Sequence, residues 1–155
     1  MEEAALKNEL NILVQELLQQ YKANLTSKGK GNGELVSSST ANITLNDMTY
    51  SIELNLADYW KYVEYGRQPG KFPPPDAIKK WITVKGILPR EINGRLPSEN
   101  QLSYLIGKKI SNNGLQGEPL LADAIQKSKI TERAEDLISD YFSEEINKEL
   151  KDFTK

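Results

Sequence analysis

Two runs of alternating apolar and polar residues restrict this chain more than any other feature. Ala41, Ile43 and Leu45 alternate with polar neighbours, and so do Tyr50, Ile52, Leu54 and Leu56 against Thr49, Ser51, Glu53 and Asn55. A period of two puts each set on one face of a strand. The turn residues Asn46 and Asp47 lie between the runs, so the pattern predicts a β-hairpin over 39–56 with one buried face. Two strands alone are marginally stable in water, so helices must cover them or further strands must extend them. No third run alternates as clearly. Leu35-Val36, Ile87–Leu96 and another subunit are the candidate sources of more strand.

Helical spacing surrounds the hairpin. Leu6, Leu10, Leu13, Val14, Leu17, Leu18 and Tyr21 form one stripe, with Glu2 and Glu3 favouring the positive end of the helix dipole, so a helix is expected over 1–26. Gly29, Gly31 and Gly33 then predict a flexible loop over 27–34. Asp58–Tyr65 reads as a short helix closed by Gly66 in a left-handed conformation. Arg67–Phe72 is a turn, and Pro73-Pro74-Pro75 is a stiff connector. Asp76–Val84 reads as a helix stopped by Gly86. Ser98 and Gln101 have the spacing of a capping box before Leu102, Leu105, Ile106 and Ile110. Asn113-Gly114 ends that helix. Leu120, Leu121, Ala124 and Ile125 mark another, and a last one is capped by Thr131 and runs through Phe153. The expected class is α+β in a single domain over 1–155: an antiparallel, hairpin-based sheet packed by an N-terminal helix and several C-terminal helices, with 58–153 mainly helical.

Composition removes much chemistry. The chain has 155 residues, 38% hydrophobic and 27% charged, which fits a globular domain with a real core. It holds no Cys and no His. Disulfides, thiolate nucleophiles and Cys-based zinc sites are thereby excluded, together with the commonest general base and metal ligand. The glycines at 29, 31 and 33 follow a helix and lack the Gly-Lys-Ser/Thr of a phosphate-cradling loop. Ser37-Ser38-Ser39 has no His to activate it, and Glu16, Glu64, Glu91 and Asp123 lie far apart in sequence. The expectation is a protein without catalytic residues, metal or cofactor. The acidic start, Met-Glu-Glu-Ala, is unlike a signal peptide, and no apolar run approaches ~18 residues. The chain is expected to be made and assembled in a cytoplasm and to enter no membrane.

The segment Tyr59–Pro75 stands apart. Tyr59, Trp60, Tyr62 and Tyr65 exceed what one short helix can bury on a single face. The surplus has the composition of a protein–protein contact, in which Tyr, Trp and Arg dominate. The formal net charge is −2, but 61–95 holds eight Lys or Arg against three acids, and 132–155 holds eight acids against four bases. Two differently solvated faces account for this. So does a basic region that meets an acidic neighbour, a copy of itself, or DNA.

Tyr62-Val63-Glu64-Tyr65-Gly66 followed by Arg67 and a proline-rich turn, with a hairpin upstream, resembles the tail-completion and head–tail joining (neck) proteins of tailed bacteriophages. Gly33-Glu34-Leu35-Val36-Ser37-Ser38 is similar to their G-x-L-x-x-S stretch. Lys71–Pro75, Ile78–Ile87 and the Ile110–Leu121 stretch resemble relatives in phages of Bacteroidetes-like hosts. The resemblance covers roughly Gly33 to Ile125. It implies a non-catalytic virion protein, assembled in the host cytoplasm, that forms a ring of its own copies between portal and tail. It further implies contacts to the portal-side adaptor and tail proteins, with DNA in the channel. Its interface would use Tyr59, Tyr62, Glu64, Tyr65, Gly66, Arg67, Lys71 and Phe72, with Gly33 from the glycine loop and Leu35 just after it. Glu64 and Arg67, three apart, can pair with each other. A small nucleic-acid-binding protein using the basic 61–95 region is the alternative, followed by a regulatory or toxin–antitoxin partner and, last, an enzyme.

Overall fold

The structure, a computed structural model, describes residues 2–46 and 49–153. In chain order the elements are α1 (Glu3–Ser27), α2 (Glu34–Ser37), β1 (Thr40–Asn46), β2 (Thr49–Asn55), α3 (Trp60–Tyr65), β3 (Gly66–Arg67), α4 (Pro75–Lys85), α5 (Glu99–Asn113), β4 (Leu115–Gln116), α6 (Leu120–Ser128) and α7 (Ile130–Phe153). The protein is α+β, with an antiparallel hairpin packed by the first helix and C-terminal helices. Its backbone divides into two compact units. One joins residues 1–57 to 120–155, and the other is continuous from Asp58 to Pro119.

The first unit is built on α1. Leu6, Leu10, Leu13, Val14, Leu17, Leu18, Tyr21 and Leu25 are all buried, the stripe that helical spacing requires. α2, β1, α6 and α7 pack against this helix. Burying a Leu of this kind contributes roughly 1.5–3 kcal/mol. Asn24, buried among them, donates through Nδ2 to the Leu120 carbonyl and to Asp123 Oδ2, both at 2.9 Å, fixing α6 against α1. Gln15 Nε2 donates to the Ala41 carbonyl at 2.9 Å and holds β1 to the same helix.

The hairpin register pairs Ala41 with Leu54, Ile43 with Ile52 and Leu45 with Tyr50, so every apolar residue faces another. The expected turn at Asn46-Asp47 lies partly outside the described residues. Ala41 is buried on α1, whereas Leu45 and Ile52 are exposed. A small apolar cavity of ≈ 70 Å³ lies among Leu10, Val14, Ile43, Tyr50, Ile130 and Ile138. Burial raises the pKa of the Tyr50 phenol at this edge, and Glu3 and then Tyr141 push it the same way.

Three expectations change here. The 27–34 segment is not all loop. Gly29 takes φ 70° and closes α1 in a Schellman motif, with Lys30 N–H donating to Leu25 O and Gly29 N–H to Thr26 O. Glu34–Ser37 is then a helical turn, so Leu35-Val36 supplies no third strand. Ile87–Leu96 adds none either: it holds an isolated bridge between Ile92 and Arg95. Among the described residues the hairpin sheet has two strands. Thr131 does not cap α7, which begins one residue earlier. Lys129, at φ 49°, breaks the chain between α6 and α7, and its carbonyl accepts the first bond of the new helix from Arg133 N–H.

In the second unit α4 packs on α5. Pro75 opens α4 with Asp76 in its first turn, and Gly86 in the left-handed region closes it, with Ile87 N–H on Ile82 O. Ser98 and Gln101 form the expected capping box on α5, each side chain bonded to the other's backbone. Gly107 makes room on α5 for a neighbouring side chain: a Cβ there would meet the Phe72 ring and Ile78 Cδ1.

Candidate functional site

The segment from Tyr59 to Phe72 is organised by backbone contact more than by side-chain burial. β3 follows α3 with no intervening residue and pairs with β4, Gly66 opposite Gln116 and Arg67 opposite Leu115. The strands pass so closely that a Cβ on Gly66 would collide with the Leu115 carbonyl and Gly117 N. One on Gly114 would strike the Arg67 carbonyl, and one on Gly117 would strike Gly66 N and the Glu64 carbonyl. Glycine is therefore required three times by close approach. Gly66 has φ 76° and ψ −164°, a positive-φ extended conformation rather than the helical left-handed one expected for it. Two further bonds lock the segment: Gly70 N–H donates to the Ser111 carbonyl at 2.8 Å, and Glu118 N–H to the Val63 carbonyl at 2.8 Å.

On this rigid backbone the aromatic residues separate into two groups. Tyr62 and Tyr65 point outward, 52% and 75% exposed. The Arg67 guanidinium lies over the Tyr62 ring, 5.7 Å from its centroid, and donates through Nη2 to the Lys71 carbonyl at 3.0 Å. That cation–π contact contributes about 0.5–1 kcal/mol at an exposed site and holds Arg67 in place. Trp60 and Tyr65 meet with ring centroids 6.1 Å apart, tilted by 56°. The other group faces α5: Phe72 stacks on Tyr104 with centroids 5.6 Å apart, and Pro73 is buried beside it in sequence.

The expected interface residues do not all reach the surface. Tyr59, Tyr62, Tyr65, Lys71 and Phe72 are exposed, and Gly66 and Arg67 are intermediate. Glu64 and Leu35 are buried, at 5% and 2% exposure. Leu35 sits in the core of the first unit against α1, so its side chain is not an anchor for a neighbour, and Gly33 serves as the N-cap of α2. These two belong to the first unit, and the aromatic segment to the second. Tyr104 was not anticipated, although Gly107 gave a signal: a small residue inside an apolar helix face marks where a ring packs. Gly117 was not anticipated either.

Among the described residues no group of three or more Asp or Glu side chains is arranged to hold a metal ion, and no helix is long and apolar enough to cross a membrane. The geometry offers a firm, aromatic and cationic surface, suited to binding. Comparison with known proteins finds no matching family model, no similar curated protein and no similar solved structure.

Proposed function

We propose that this chain is a structural subunit of the neck of a tailed bacteriophage, forming a ring that joins the portal and head to the tail without catalysis. The observation that carries this reading is the pair Tyr62 and Tyr65, held outward beside Arg67 on a backbone that three glycines lock. Preorganised Tyr and Arg side chains lose little freedom on binding and supply the energy of a protein contact. The sequence resemblance supplies the identity of the assembly, and the surface supplies a means of joining it. The partners are copies of the chain, a portal-side adaptor and tail proteins.

The test is direct. Mass spectrometry of purified virions should find the chain in multiple copies, and reconstruction of the neck should place it there. Tyr62→Ala with Tyr65→Ala should leave the circular dichroism spectrum intact and yield heads and tails that fail to join. Absence from virions sinks the proposal.

A second reading has its own support. The unit Asp58–Pro119 holds ten Lys or Arg against six acids, and Tyr62, Tyr65 and Trp81 are exposed upon it. Exposed rings beside cations suit a single-stranded nucleic acid. Tight binding of short oligonucleotides that weakens steeply between 50 and 200 mM salt, on the order of 10³-fold, would favour it.

A further inference from the structure

α7 changes character along its length. Its first turns bury Ile130 and half-bury Ala134, Leu137 and Ile138 in the first unit. Past Tyr141 the apolar positions move around the helix. Phe142, Ile146, Leu150 and Phe153 follow at steps of four, four and three, a single stripe about 16 Å long, and each is between 48% and 83% exposed. Asp140, Glu145 and Glu149 stand among them. A helix that needed only to finish the core would carry polar residues here, and such a stripe marks a contact.

The second unit carries a surface of opposite kind. Ile92, Leu96, Tyr104 and Leu105 line an open groove of ≈ 520 Å³, with Arg95 on its wall. The charge surplus reverses between the units: ten bases to six acids in the unit that bears the groove, ten bases to sixteen acids in the unit that bears α7.

We infer that the stripe Phe142–Phe153 of one copy docks, as an amphipathic helix, in the Ile92–Leu105 groove of a second copy of this chain. Apolar residues meet an apolar trough, and the acids beside the stripe meet a basic unit. Stripe against stripe is the poorer pairing, because it brings Asp140, Glu145 and Glu149 of two helices together and leaves the groove empty. A contact between two different patches is heterologous, so it propagates head to tail until its rotation closes. The contact deepens the ring reading above and rests on it for closure alone; its residues are separate from the Tyr62–Arg67 surface.

The absence of cysteine from the chain makes the test clean. Leu150→Cys and Leu96→Cys alter exposed side chains on the two surfaces. Each purified full-length variant, and an equimolar mixture, is treated with a short bismaleimide. The mixture should give a covalent dimer containing one chain of each kind, about tenfold above the self-dimer of either variant. Adding Ile146→Asp to the Leu150→Cys chain should abolish that product, and 0.5 M salt should reduce it several-fold. The chain carrying both cysteines should give a ladder of oligomers. Self-linking of Leu150→Cys that equals the mixed product overturns the proposal in favour of stripe-to-stripe pairing. Linkage within one chain overturns it in favour of a groove filled by the chain's own helix. No linkage in any arm overturns it outright. None of these outcomes decides whether the chain is present in virions, and its absence from virions leaves a positive cross-link standing.

Discussion

In the unit built on α1, eight apolar side chains of that one helix are buried, from Leu6 to Leu25. In the unit Asp58–Pro119 the described apolar side chains that are buried are Pro73, Ile78 and Ile82, and order comes instead from caps, prolines and three glycines at a close backbone crossing. The first unit is held by area removed from water, which is non-directional and tolerates small shifts. The second is held by geometry that tolerates almost none. A surface built on the second can present Tyr62 and Tyr65 rigidly without a large core beneath them.

The largest effect that separates the two modes should come from Leu10→Ala. It removes a buried side chain beside an existing apolar cavity and should cost ~2–5 kcal/mol, read as a lower urea midpoint by circular dichroism. Both tryptophans, Trp60 and Trp81, lie in the second unit. Their fluorescence transition should move less than the helical signal, whereas coincident shifts would mean the two units melt as one. Gly66→Ala should cost about 2–4 kcal/mol through a strained φ and a backbone collision, and it should move the tryptophan transition first. Asn24→Ala removes one buried and one part-buried bond to α6 and should cost ~1–3 kcal/mol in the first unit. Ser98→Ala strips one half of a capping box and should cost about 1 kcal/mol in the second.

The smallest effect concerns pH. In the folded state Tyr50 has a pKa raised above 10.0 by burial, Glu3 and Tyr141. Its proton is therefore held more tightly folded than unfolded. Stability from this source is full below pH 10 and falls as pH rises through the folded value. Tyr50→Phe should flatten that alkaline loss in a series of urea melts.

Where the fold was legible in sequence, a repeating pattern carried it. The α1 stripe, the two strands of the hairpin and the Ser98–Gln101 box each follow from spacings within one element. What escaped was non-local. β3 and β4 are two residues each, too short for any period, and about fifty residues separate them. Their pairing is written only in Gly66, Gly114 and Gly117, and Gly114 alone reads equally well as a helix stop. Leu35 illustrates a different failure. Beside three glycines it is expected in a further strand or at an interface, yet Gly29 caps α1 and turns the chain back, so that Leu35 lands against the helix it has just left. The aromatic segment was legible as a surplus, but which rings face outward depended on the Gly107 notch that takes Phe72.

The bonds from Asn24 to Leu120 and Asp123 reach across 96 and 99 residues. They have a consequence for the order of events during synthesis. The segment from Asp58 to Pro119 is continuous and can fold as it leaves the ribosome, whereas α1, met early by α2 and β1, must wait for the rest of its cover until α6 and α7 emerge. An early-folded middle shortens the effective loop that α1 and α6 must close and so lowers the entropy of joining them. The newborn chain is then most exposed to a chaperone, or to a mistaken partner, in the interval between the hairpin and Leu120.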